Sequence, residues 1–140
     1  MAKQILRDAF VEVNGVDLSD HCETVELDES WPNIDVTGMG ARFKERLLGI
    51  GDASIKVNWF QDFAASEVHA TLKGLAGSNT PFPVVLRPVK SLSVSETNPK
   101  FTMQSVMDAY SPIKGKVGDA SMVPTTFWNA DPSGVVESTT

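Results

Sequence analysis

Apolar and polar residues alternate with a period of two along several short stretches of this chain, the spacing that sends successive side chains to opposite faces of a strand. Phe10, Val11 and Val13 are strand formers; Asn14-Gly15 follows, a pair that tolerates the positive φ of a tight hairpin, and Val16 to Leu18 is placed to return. Cys22 to Ser30 sets Val25 and Leu27 against Thr24, Glu26 and Asp28, predicting a strand with one buried and one wet face that ends or turns to an edge at Pro32. Ala53 to Trp59 repeats the pattern, with Ala53, Ile55, Val57 and Trp59 opposed to Ser54, Lys56 and Asn58. Pro81, Pro83 and Pro88 bracket Phe82 to Leu86, which predicts an edge strand, because proline brings no donor to a ladder. A long strand is expected over Phe101 to Tyr110, with Phe101, Met103 and Ala109 facing away from Thr102, Gln104 and Asp108. A last strand is expected over Val117 to Trp128, with breaks at Gly118 and Pro124.

One stretch changes period. Val68, Leu72 and Leu75 recur at i, i+4 and i+7, predicting a helix within residues 62–76. Ser66 is placed to cap it, Glu67 to face the positive end of its dipole and Gly77 to end it. Asn33 to Ile50 fits neither period. Its glycines, Gly38, Gly40 and Gly49, disfavour a helix, and its Ile34, Val36, Met39, Phe43, Leu47, Leu48 and Ile50 are too apolar for a solvated loop. An extended hairpin or arm satisfies both facts, and its apolar side chains would then form a binding surface. Residues 1–8 are expected to form an N-terminal arm and residues 129–140 a loose tail. The sum is a mainly β, α+β chain: about six to eight strands in a β-sandwich or small barrel, one flanking helix and a long arm.

At 140 residues the chain fits one domain able to bury its own core. No apolar run approaches a membrane span, the first ten residues lack the apolar stretch of a signal peptide, and the single cysteine, Cys22, excludes an internal disulfide. These features point to synthesis in a cytoplasm and to no membrane partner. The net charge of -6 argues against tight wrapping of nucleic acid. Its placement says more. Between Asp8 and Ala41 there is no Lys or Arg but nine acids, and the basic cluster Arg42, Lys44 and Arg46 follows at once. The plain reading is a solvated acidic face and a solvated loop; the sharper one is complementarity between copies, the basic loop of one meeting the acidic face of another.

Candidate chemistry is sparse. Ser111 and Ser121 lie in no nucleophile elbow, Gly38-Met39-Gly40 lacks the rest of a phosphate loop, and two histidines with one cysteine do not make a zinc site without borrowed carboxylates. His21 is expected in a turn, His69 on a helix surface and Cys22 as a small half-buried apolar residue. Asp28 and Glu29, adjacent on a strand, cannot form an acid/base pair. No enzyme, cofactor or metal is expected.

The order of features resembles the major tail tube proteins of long-tailed phages. The matching pieces run from Phe10 through the hairpin to Asp20, then Ile34 to Thr37, Gly51 to Ser54, Trp59 to Phe63 and the helix, and finally Asn98-Pro99, Tyr110 to Pro112 and Gly118-Asp119. The resemblance implies a single tail tube domain, a β-sandwich flanked by a helix, assembling into hexameric rings that stack into a tube in the virion tail. It implies that residues 31–50 bridge subunits, with Trp31, Ile34, Val36, Met39, Arg42, Phe43, Lys44, Arg46, Leu47 and Leu48 as contacts. Tape measure, tail terminator and baseplate proteins would be its other partners, and DNA would pass through without specific binding. By alternation, Glu26, Asp28, Lys56, Asn58, Gln104 and Asp108 are the lumen-facing candidates. A tail-completion or baseplate ring, an injection-system tube and a cytosolic ligand-binding sandwich are the alternative readings.

Overall fold

The computed structural model describes residues 3–140; Met1 and Ala2 of the expected N-terminal arm lie outside them. Two strands, β1 (Phe10–Val13) and β2 (Val16–Asp17), form the expected hairpin, with Asn14 at φ 50° and Gly15 at φ 83°. A single tight turn (Ser19–His21) leads into β3 (Cys22–Ser30). Among the described residues, strands β4 (Asn33–Asp35) and β5 (Arg46–Leu48) pair only with each other; β6 (Asp52–Phe60) and α1 (Val68–Lys73) follow. The remaining strands are β7 (Phe82–Arg87), β8 (Lys100–Met107), β9 (Met122–Asn129) and β10 (Val135–Ser138).

The main sheet runs β2-β1-β7-β8-β9-β6-β3, every pairing antiparallel. Its shape is decided at β8. One edge of β8 takes β7 along Phe101–Ser105. The other edge is divided: β10 pairs with Lys100–Met103, and β9 only with Ser105–Met107. The short overlap lets the sheet fold over on itself into a sandwich. Phe82 of β7 and Phe127 of β9 meet edge to face at 5.8 Å between ring centroids, across an intervening strand that would hold them about 9.5 Å apart in a flat sheet.

The core is the inner face of this fold. Val11 and Val13, Ile55, Val57 and Trp59, Phe82, Val84 and Leu86, Met103 and Met107, and Val123 and Phe127 are all buried, each set alternating along its strand as the period-two pattern requires. Trp59 donates its indole N–H to Thr125 Oγ1 at 2.8 Å, so the one polar atom of the largest core side chain is satisfied. Val68 and Leu72 of α1 are fully buried, with Leu75 packed against the same core, so the predicted stripe faces inward.

Several expectations are corrected. Phe82–Arg87 is an interior strand between β1 and β8. Pro83 is tolerated because its carbonyl points to the β1 side, where it accepts the Asn14 N–H at 2.8 Å; its missing donor faces the same hairpin turn, beyond the last β1 pair at Val13↔Val84. Ser66 does not cap α1. It adopts φ 64°, Glu67 holds the cap position without a side-chain cap bond, and the helix stops at Lys73, short of Gly77. The last long strand begins at Met122, not Val117, and β8 ends at Met107, leaving Asp108 and Ala109 outside it; Ser105, not Ala109, joins Met103 on the inner face. The tail expected to be loose carries β10, seated on the half of β8 that β9 leaves free.

Asn98, fully buried, holds the loop before β8. Its Oδ1 accepts the Val89 N–H, and its Nδ2 reaches the carbonyls of Val89, Leu92 and Ser93 at 2.9–3.2 Å. Replacing it strands those backbone groups, so Asn98→Ala should cost about 2–3 kcal/mol, read as a lower urea midpoint at unchanged slope.

Candidate functional site

The most exposed apolar surface is the β4–β5 ribbon. Ile34 stands opposite Leu47, Asp35 opposite Arg46 and Asn33 opposite Leu48, and the pairing is continued by Val36 N–H to the Glu45 carbonyl and Glu45 N–H to Thr37 Oγ1. The glycines sit at the tip and the base, where no side chain is needed. Met39 is fully exposed, Phe43 81% and Leu48 67% exposed, and Ile34, Val36 and Leu47 are also exposed, as are Arg42, Lys44 and Arg46. A lone two-stranded ribbon gains little from its own contacts in water, so this surface is not accounted for by the stability of the monomer. Trp31 differs from the other contact candidates. Half exposed, it lies at the ribbon's base against Gly51, where any Cβ would meet its indole. The Gly49 N–H donates to the Pro32 carbonyl at 2.8 Å, pinching the base shut.

A second surface is the outer face of the β3-β6-β9 layer. Glu26 stands opposite Lys56, Asp28 opposite Ser54 and Thr24 opposite Asn58. Four of the six lumen candidates, Glu26, Asp28, Lys56 and Asn58, therefore share one face, but Lys56 offsets its acidity. Gln104 lies on β8, in the other limb of the fold, and Asp108 follows β8, accepting the indole N–H of Trp128 at 3.2 Å. Asn58 Oδ1 is buried without a partner, opposite Pro124, which has no N–H to offer. Among the described residues no strand pairs with the far edge of β3, so nine residues of backbone are left for another partner.

Two side-chain clusters join segments far apart in sequence. His69 Nδ1 meets Tyr110 Oη at 2.8 Å and its ring lies tilted against Phe63, while Gln61 donates to Tyr110 and to the Pro112 carbonyl; His69 is a tie between α1 and the loop after β8, not a bare helix-surface residue. His21 lies in the expected turn but sits among Asp20, Asp62 and Glu67. Atoms of His21, Asp62 and Glu67 lie within 4.8 Å of one another, and both ring nitrogens face carboxylate oxygens, a hydrogen-bonded cluster that is ion-paired when the ring is protonated. A separation of 41 residues kept this pairing out of reach of sequence reading.

These surfaces define a β-sandwich that carries a detached ribbon and a bare strand edge. No family profile and no curated protein matches the chain. Among solved structures, it is similar to a chain in the virion of a native gene transfer agent particle, with a TM-score of 0.74 at 10% identity over 97% of this chain and 99% of that one. It is also similar to a chain in the tail of an empty gene transfer agent particle with C6 symmetry, with a TM-score of 0.59 at 12% identity over 86% of this chain and 82% of that one. A third likeness is to the Dit protein of phage SPP1, a hub protein of the adsorption apparatus, with a TM-score of 0.55 at 15% identity over 90% of this chain but 51% of that one. At these identities the likeness establishes the fold.

Cys22 opens β3, half-buried. Burial, with the charge of Glu23 beside it, pushes its thiol up to about 11. The thiol is therefore protonated at neutral pH and should react with a maleimide or iodoacetamide far more slowly in the folded chain than in urea at pH 7.5, a difference read by mass spectrometry.

Proposed function

We propose that this chain is a structural subunit that polymerises, through stacked hexameric rings, into a tail tube, the conduit for DNA in a virion tail. The observation that carries the reading is the exposed β4–β5 ribbon. It presents an exposed apolar, basic surface, next to a layer whose long edge strand pairs with no further strand among the described residues. A second copy supplies what both lack: a surface to cover the ribbon and a strand, or an acidic face, to meet the edge and the charges of Arg42, Lys44 and Arg46. A contact of this kind between different patches is heterologous and propagates. The fold shared with chains of tailed particles, one of them six-fold symmetric, supports the same reading. Glu26 and Asp28 on the outer face would keep phosphate from sticking as DNA passes. Tape measure, terminator and baseplate proteins are the partners such a tube requires.

The likeness to the Dit hub protein favours a second reading, a ring that does not polymerise. Electron microscopy of the concentrated protein separates the two: tubes support the first, isolated rings the second, and dispersed single sandwiches at every concentration oppose both.

Two results follow from the ribbon and the face. Because Pro32 and Gly49 are already joined by a hydrogen bond, residues 33–48 can be excised with a direct Pro32–Gly49 junction. The variant should melt cooperatively but form no tubes in negative stain; long tubes from it would remove the ribbon from the assembly. Replacing Glu26 and Asp28 by Lys should leave tubes intact yet lower the yield of infectious or DNA-delivering particles, measured by titre per particle.

A further inference from the structure

The turn before β3 and the segment leading into α1 are held together by a single imidazole. His21 Nε2 lies 2.9 Å from Asp62 Oδ2, and His21 Nδ1 lies 2.9 Å from Asp20 Oδ1 and 3.6 Å from Glu67 Oε2. The three carboxylates come from three places: Asp20 from the turn itself, Asp62 from the lead-in after β6, and Glu67 from the cap position of α1. The histidine side chain is 17% exposed, those of Asp62 and Glu67 35% and that of Asp20 76%, so water competes freely for Asp20 and less for the other two. Asp62 also organises the lead-in. Its Oδ1 accepts the Ala64 N–H, and its carbonyl accepts the His69 N–H at 3.0 Å. Glu67 makes no cap bond of its own.

A neutral imidazole has one N–H and one lone pair. With carboxylate oxygens against both nitrogens, the neutral form would set a lone pair against a carboxylate; only the doubly protonated ring donates to both sides. We infer that His21 is a proton-operated latch that fastens the start of the edge strand β3 to the lead-in of α1, closed when the ring is charged and loosened, one of its two donors lost, when it is neutral. Lys90 is paired with Asp17 at 2.8 Å, and its charge also reaches Asp20. Partial burial alone would lower the His21 pKa; the hydrogen bonds to Asp62 and Asp20, with the charges of Asp20 and Glu67, outweigh it and raise the pKa above its ordinary 6.5. A pKa raised on folding adds stability that is complete below about 6.5 and is lost as pH climbs through the folded value. The latch is thus shut in mild acid and opens on the alkaline side, leaving three carboxylates facing an uncharged ring.

The inference stands apart from the tube reading, since it concerns the fold of one chain. The test is a thermal melt of the full chain between pH 5.5 and 8.5, with the two imidazoles followed by NMR. His21 should titrate above 6.5, and the melting temperature should fall by about 2–5 °C across that range beyond what His21→Gln loses. His69→Gln, altering the only other histidine, should keep the full pH dependence. Asp62→Asn should lower the His21 midpoint without unfolding the sandwich. Titration of His21 at or below 6.5 in the unmodified chain would overturn the latch. So would a rise in melting temperature on adding zinc chloride at pH 8 that His21→Gln abolishes, which would assign the cluster to a metal ion instead.

Discussion

Strand β8 has two edges and three partners, and the architecture depends on how it shares them. Because β9 holds only the last three residues of β8 and β10 takes the first four, the sheet has no continuous ladder at this point to keep it flat. The far limb, β9-β6-β3, can swing over the near one, β1-β7-β8, and the apolar faces of both meet around Trp59, Phe82 and Phe127. Burial of those faces drives the closure; the divided edge is what permits it. The same closure leaves β3 as an outer strand with nothing beyond it among the described residues, so the fold completes its core at the cost of one bare rim.

Where the core is concerned, the sequence was legible because the period-two pattern and burial follow the same geometry. Ala53, Ile55, Val57 and Trp59 are predicted on one face and are buried on one face. The Asn14-Gly15 hairpin was equally plain, since positive φ at both positions leaves few alternatives. Misreadings arise where tertiary context overrides a local rule. Pro83 suggested an edge, yet its missing donor happens to face a turn that needs none. Ser66 has a capping side chain, but the chain enters α1 through Glu67, whose carboxylate is drawn toward His21. The polar C-terminal segment looked loose because nothing local revealed that half an edge of β8 stood empty.

The candidate surfaces divide along the same line. That residues 31–50 are apolar, rich in glycine and unsuited to a helix could be read directly, and the chain does project them as a ribbon. Which outer-face residues stand together could be read only in part. Glu26, Asp28, Lys56 and Asn58 follow from alternation within two strands, whereas the separation of Gln104 from them depends on a fold-over that no local pattern encodes. The His21 cluster was out of reach for the same reason: its members meet only once β6 has paired with β3.

The hydrogen bond between Pro32 and Gly49 gives the ribbon a neck. Chain enters and leaves it at nearly one point, so its length and side chains can drift between related chains without disturbing a single core contact. Selection on such a fold can act separately on reach and on solidity: insertions above the neck change how far the ribbon extends, while the sandwich below keeps its register.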